Sequence, residues 1–237
     1  SGACQVDLGE IRKLNCTIRG IMEFETSSIR TYKEIRSNII SGQLRPGEKL
    51  ARRTLAKIHG VSPITVMEAF YKLEIDGLVE SRPMYGTRVR PLSRQHFIGE
   101  QVMREALECQ CARLCALNLD DQSAADLQTL ADYLDRRMGH NRGDKDMEEH
   151  AKFHVKVASI SGMAILETEV QKIFFREFMW ATWRSAQRIS PPDGWHNRLL
   201  DAIRSGDPDR AEAEMRKHVT YNSEVLLDLL EKREASD

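Results

Sequence analysis

Residues 41–90 constrain this chain more than any other stretch, because glycine and proline cut them into a fixed order of elements. Ile29, Ile35, Ile39 and Ile40 recur at helical spacing across Ser28–Ser41, which predicts an amphipathic helix ended by Gly42. Arg45-Pro46-Gly47 is a turn. A short helix is expected from about Ala51 to Ile58, with Leu55 and Ile58 facing inward. Gly60 supplies a sharp turn and Val61 plugs the space between two helices. Ser62 is a good helix cap, and Pro63 suits the first helical position, where its missing N–H costs nothing. The next helix runs to about Asp76, with Val66, Ala69, Phe70 and Leu73 on its buried face, and Gly77 stops it. Leu78–Ser81 and Thr87–Arg90 read as two strands joined through Pro83-Met84-Tyr85-Gly86. Helix, tight turn, helix and a basic hairpin make a winged helix-turn-helix over residues 28–91.

That arrangement makes double-stranded DNA the first partner to consider. A helix that opens with small polar residues can enter the major groove and present side chains to base edges. Ser62, Ile64, Thr65 and Glu68 lie on the half of that helix not used by the core. Arg52 and Arg53 on the preceding helix are placed to reach phosphates, and Arg82, Arg88 and Arg90 put charge on the wing. The formal net charge of −1 conceals an asymmetry in the same sense. Residues 28–91 carry a net of +6, and residues 92–237 a net of −6. A basic reader joined to an acidic module accounts for this, with chance variation as the bland alternative.

Here the sequence resembles the GntR family of bacterial transcription regulators over roughly Thr31 to Arg90. The resemblance rests on Ser41-Gly42-x-Leu44-x-Pro46-Gly47-x-x-Leu50, Leu55-Ala56-x-x-x-Gly60-Val61-Ser62, Glu68-Ala69-x-x-x-Leu73 and Gly77-Leu78-Val79. It implies that Arg53 is the DNA-contacting arginine of the helix before the reader. Where the family usually carries two arginines on the reading helix, this chain has Pro63 and Met67. Specificity is then expected to lean on Arg53, Thr65 and the wing.

From about Arg94 the pattern is purely helical, with helices expected near 94–117, 121–138, 145–160, 163–187, 193–204 and 207–232. An all-α bundle over 94–237 follows, so the fold class is mainly α: a winged helix-turn-helix followed by a helical ligand domain. His150 and His154 are spaced i, i+4, which puts both rings on one helix face. His196 sits near the start of the next-to-last helix, and His218 lies on the last one. Facing helices of a bundle can bring such residues together as ligands of a divalent metal, Zn2+ first and Ni2+ or Fe2+ after it. The alternative is four unrelated histidines. Cys111 and Cys115 share a helix face near Cys109, which reads either as a thiol sensor or as small residues in helix packing.

Residues 94–225 resemble the FCD domains that follow this DNA-binding module. The matching pieces are Arg104-x-x-Leu107-Glu108, Phe153-His154, Ala158-Ser159-x-Ser161-Gly162, His196-x-x-Leu199-x-x-Ala202-Ile203-x-x-Gly206-Asp207 and Met215-x-x-His218-Val219. The resemblance implies a metal held by His154, His196 and His218, with His150 where such domains carry an aspartate. It also implies a small organic acid effector whose carboxylate pairs with Arg104. The alternative for Arg104 is a surface residue paired with Glu100 or Glu108. Phe174, Phe178, Trp180 and Trp183 either line the pocket or form a core face.

The expected protein is therefore a homodimeric, operator-binding regulator, a repressor by expectation, in the bacterial cytoplasm on the nucleoid. No apolar run of membrane-spanning length is present, and the five cysteines form no regular framework. An enzyme using the histidines is a poorer fit, because no HExxH pair and no phosphate-binding glycine loop occurs. A sensor of the metal alone is the other alternative. Residues 1–27 are expected to be an extension, with Ile11, Leu14, Ile18 and Ile21 at near-helical spacing.

Overall fold

The computed structural model describes residues 25–137, 144–183, 192–221, 223 and 227. The helical spacing noted at Ile11 to Ile21 lies outside the described residues. The first described helix, α1 (Ser27–Ile40), begins where Thr26 Oγ1 accepts the backbone N–H of Ile29 and buries Thr31, Ile35 and Ile39. A two-residue strand, β1 (Lys49–Leu50), follows. Then come α2 (Arg52–His59) and α3 (Pro63–Ile75), separated by Gly60 at φ +64°, a left-handed geometry that glycine adopts without strain. The wing is β2 (Val79–Arg82) and β3 (Gly86–Val89).

The hairpin expected from sequence is a three-stranded sheet of order β1-β3-β2. β1 escapes a pattern reading because two residues show no alternation. Its pairing is nonetheless firm, since Val89 N–H donates to Glu48 O at 2.9 Å and Gly47 N–H to Val89 O at 3.1 Å. The core of this head is Ile35, Ile39, Leu55, Val66, Phe70, Leu73, Leu78, Val79 and Val89. Each fully buried Leu or Ile among them contributes about 2–3 kcal/mol of burial free energy. Ile58 departs from expectation: it is 68% exposed, because the α2 face that meets α3 is carried by Leu55 and Ala56.

The rest of the described chain is helical: α4 (Arg94–Asn118), α5 (Asp121–Arg137), α6 (Asp144–Ile160), α7 (Ala164–Trp183), α8 (Trp195–Arg204) and α9 (Pro208–Thr220). Capping explains several boundaries. Ser93 Oγ accepts from His96 N–H at the start of α4, and Asp207 Oδ1 accepts from Asp209 and Arg210 N–H before Pro208 opens α9. The bundle core gathers Ala112, Leu127, Phe153, Val157, Phe174, Leu199, Ile203 and Met215 from six helices. Cys109, Cys111 and Cys115 belong to it, and burial pushes each thiol up to about 12. Thiols held that far from ionisation are packing groups rather than sensors.

One helix belongs to both halves. Met179 of α7 is part of the head's core, and Phe175 packs against it. Arg36 of α1 lies over the Phe175 ring at 4.5 Å, and Arg176 Nη1 donates to the carbonyl of Asp76 at 3.1 Å. Arg176 Nε also meets Glu100 of α4 at 3.2 Å.

Candidate functional site

The four histidines singled out by spacing converge. His150 and His154 rise one turn apart from α6, His196 from the first turn of α8 and His218 from the last turn of α9. One ring nitrogen from each lies within 4.8 Å of all the others. His150 Nε2 and His154 Nε2 are 3.2 Å apart. Two nitrogens bound tetrahedrally to one zinc at ordinary Zn–N lengths sit about 3.3 Å apart. Aromatic rings wall the cluster: Phe174 lies 5.1 Å from the His154 ring, Phe153 lies 5.3 Å from His196, and Trp195 stacks on His218 at 5.2 Å.

Two carboxylates orient the rings. Glu108 of α4 pairs with His154 Nδ1, and Asp135 of α5 meets His196 Nδ1 at 2.9 Å. Asp135 also accepts the backbone N–H groups of His196 and Asn197, both at 3.0 Å. In the neutral form of such a ring a carboxylate on Nδ1 selects the tautomer that leaves the lone pair on Nε2. Burial alone would raise both acids. For Glu108 the charges of His154 and Arg104 outweigh it and hold the carboxyl at about 2. For Asp135 the hydrogen bonds from His196 and Asn197 do the same, again to about 2. His150 is held well below the ordinary imidazole range by burial and by the neighbouring His154, His196 and His218, so it stays neutral. Oriented imidazoles on three helices are the donor set a borderline-soft divalent metal requires, and the residues fit that group.

Arg104 is buried, not a surface residue. Its Nε donates to Glu108 Oε1 at 2.5 Å and its Nη1 to Glu177 Oε1 of α7 at 3.0 Å. Its guanidinium lies 5.3 Å from the centroid of Phe174, the ring that also flanks His150 and His154. A fixed cation therefore stands beside the histidines. Phe174 is buried at the site, whereas the side chains of Phe178, Trp180 and Trp183 lie outside the described residues. Glu108 and Asp135 were not picked out as ring-orienting residues by sequence reasoning. The signal for Glu108 was its place one turn after Arg104. Asp135 offers none, being one of several acids on α5.

The head presents a different surface. Arg52 and Arg53 are exposed at the start of α2. Ser62 and Thr65 are engaged with each other, Ser62 Oγ accepting Thr65 N–H at 3.1 Å and lying 2.9 Å from Thr65 Oγ1. Arg88 is locked to its cross-strand neighbour Glu80, Nη2 to Oε1 at 2.5 Å, and Arg82 approaches the same carboxylate at 3.5 Å. Glu80 is pulled below the usual carboxylate range by the Arg88 hydrogen bond. On α2, neither Arg52 nor Arg53 forms an ion pair among the described residues, and Arg52 Nη1 lies 3.6 Å from Met67 Sδ.

Two family models cover these two regions. The bacterial regulatory proteins of the gntR family match residues 28–89, and the FCD domain matches residues 101–221. The chain belongs to the GntR family. Among its GntR-family relatives, the HTH-type transcriptional repressor RspR of Escherichia coli K12 is 24% identical over 205 residues, covering 82% of this chain and 86% of that protein. The HTH-type transcriptional regulator LutR of Bacillus subtilis is 29% identical over 217 residues, covering 79% and 95%. The fold is shared with solved GntR structures. E. coli McbR/YncC superposes with a TM-score of 0.69 at 21% identity over 86% of this chain and 98% of its own. A Rhodococcus GntR regulator gives 0.66 at 22% identity over 85% and 97%. This GntR-family chain is thus a DNA-binding transcriptional regulator, and no helix among its described residues is long and apolar enough to cross a membrane.

Proposed function

We propose that this regulator is a homodimeric repressor, working in the bacterial cytoplasm on nucleoid DNA, whose operator affinity is set by a small carboxylate bound beside a divalent metal in the helical domain. The convergence of His150, His154, His196 and His218 next to Arg104 carries this reading. The four imidazoles would hold the ion, and their nitrogen donors favour Zn2+, with Ni2+ or Fe2+ next, over Mn2+ or Mg2+. A bound ion would supply a positive centre for one carboxylate oxygen of the effector.

Arg104 supplies the second anchor, and Glu177 now occupies it. Glu108 is 2% exposed and held by His154, whereas Glu177 is 24% exposed and so free to turn toward water. An effector carboxylate would therefore take the place of Glu177 on Arg104 through the forked geometry that guanidinium offers. Glu177 sits on α7 beside Arg176, which grips the head at Asp76. Release of Glu177 thus acts on the helix that docks the DNA reader. Two sites, one connecting element and differential contacts are the elements of allosteric coupling.

A second reading has one observation in its favour. Four protein nitrogens within 4.8 Å of one another would fill a four-coordinate zinc shell without any outer ligand, which would make the protein a sensor of the metal itself. Metal analysis of the purified protein, followed by gel shifts on its own promoter DNA with chelator, with Zn2+ and with added citrate, separates the readings. Metal-loaded protein released from DNA by citrate supports the carboxylate reading. Release or binding that follows Zn2+ alone supports the sensor. Chelation that changes neither DNA nor citrate binding removes the metal from both.

A further inference from the structure

The buried face of α3 is Val66, Ala69, Phe70 and Leu73. The opposite face is also apolar. Ile64, Met67, Tyr71 and Ile75 follow each other at i, i+3, i+7 and i+11, one stripe along the helix, and are 65%, 48%, 67% and 55% exposed. A stripe of that size is costly to leave in water and marks a contact surface. Its surroundings are of mixed charge, with Glu68 and Glu74 exposed on α3 itself. Arg52 reaches it from α2, its Nη1 3.6 Å from Met67 Sδ, and its chain neighbour Arg53 is exposed. In a DNA-binding regulator, an arginine beside an apolar strip on the reading helix suits a phosphate flanking the groove that the strip enters. At the helix start Ser62 and Thr65 hydrogen-bond each other in the cap, which commits part of each hydroxyl's capacity.

We infer that this regulator reads its operator through thymine methyl groups, with Ile64 and Met67 as the specificity-determining side chains and Tyr71 extending the same contact. The thymine C5 methyl is the one apolar feature that a base edge shows in the major groove. An apolar stripe on a groove-entering helix meets it, whereas the arginine pairing for guanine needs a forked donor that α3 does not carry on this face. Glu68, exposed on the same side, can accept from a cytosine amino group between the methyl contacts. The half-site is thus expected to be rich in thymine on the strand facing α3.

The test uses the full-length protein. Duplexes are selected from a library with a randomised centre, and the selected duplex is rebuilt with deoxyuridine replacing thymidine one position at a time, which removes the methyl alone. Affinity is expected to fall about fourfold for each contacted methyl, the effect of exposing one methyl-sized group. Met67→Ala is expected to bind the thymine duplex as weakly as the parent binds the matching deoxyuridine duplex. Combining the two changes is then expected to add little, as coupled partners do. Its melting temperature is expected to stay put, since the side chain is exposed. Equal affinity across the deoxyuridine series, or a selection that yields no preferred sequence, overturns the inference. So does an Ile64→Ser, Met67→Ser variant that changes the oligomeric mass and leaves DNA affinity intact, which would assign the stripe to a second copy.

Discussion

The head and the helical domain handle polarity in opposite ways. In the head the buried groups are apolar apart from Thr31 and Asp76, and the functional side chains stand on the exposed faces of α2, α3 and the wing. In the helical domain Arg104, Glu108, His154, His196 and His218 are themselves buried, embedded among Phe153, Phe174 and Leu199. A surface reader tolerates substitution because water satisfies whatever a partner does not. A buried polar network must satisfy itself, and each member left alone costs a desolvation penalty. The two regions should therefore respond differently to mutation, in kind as well as in size.

The largest effect tests whether they are separate at all. Leu73 of α3 is fully buried in the head, and Leu73→Ala is expected to cost about 2–5 kcal/mol there. Because Met179 and Phe175 of α7 join the head's core, the helical domain is expected to feel part of that loss. A thermal melt monitored separately by head and bundle probes checks this. Two transitions, with only the first displaced, would break the idea that α7 welds the regions together.

The network is next. Glu108→Gln removes the charge that orients His154 and one of the two carboxylates on Arg104. Metal affinity is expected to fall about 10–100-fold, as for other carboxylates behind a ligating histidine. Competition against a chelating dye measures it. Binding of metal-depleted protein to unrelated DNA is expected to hold, since the head's surface is untouched. A variant that binds metal as the parent does would show that the histidines orient themselves.

Much of the head was legible in the sequence, and for a physical reason. Its turns need residues of special backbone geometry, so Gly60, Gly77 and Pro63 announce themselves. The sequence could not show what neighbours do across space. The mutual hydrogen bond of Ser62 and Thr65 is one such contact, and Arg88 looks free until the β2–β3 register places Glu80 opposite it. In the helical domain the i, i+4 spacing disclosed His150 and His154. His196 and His218 carried no local signal, and their convergence on the pair depends on how α8 and α9 pack against α6. Asp135 is invisible for the same reason. It earns its role only through a helix start 61 residues further on.

The Glu80 contact gives a smaller effect of opposite sign. Glu80→Gln frees Arg88 and Arg82 for phosphate. Non-specific DNA affinity is expected to rise a few-fold, and the dependence of log K on log salt to steepen by about one unit, the increment of one added phosphate contact. A salt titration of binding checks both. An unchanged slope would mean that the wing does not lie on the backbone.

The smallest effect belongs to the seam between the regions. Tyr32 of α1 donates to Asp76 Oδ2 at 2.5 Å and accepts from Arg36 Nη1 at 3.0 Å, beside the Asp76 carbonyl that Arg176 grips. Burial, and then the Asp76 hydrogen bond, push its phenol up to about 12. A pKa raised in the folded state means that folding favours the protonated phenol. The stability it contributes is complete below the unfolded value near 10 and is lost as pH rises through about 12. An ultraviolet titration is expected to show a late phenolate besides Tyr133, which its hydrogen bond to Asp146 also raises, and to lose it in Tyr32→Phe. The same substitution is expected to leave metal binding unchanged and to loosen only the contact of α1 with α7. If the late phenolate persists in the variant, another tyrosine carries it, and the seam is held by Arg176 and Met179 without help from Tyr32.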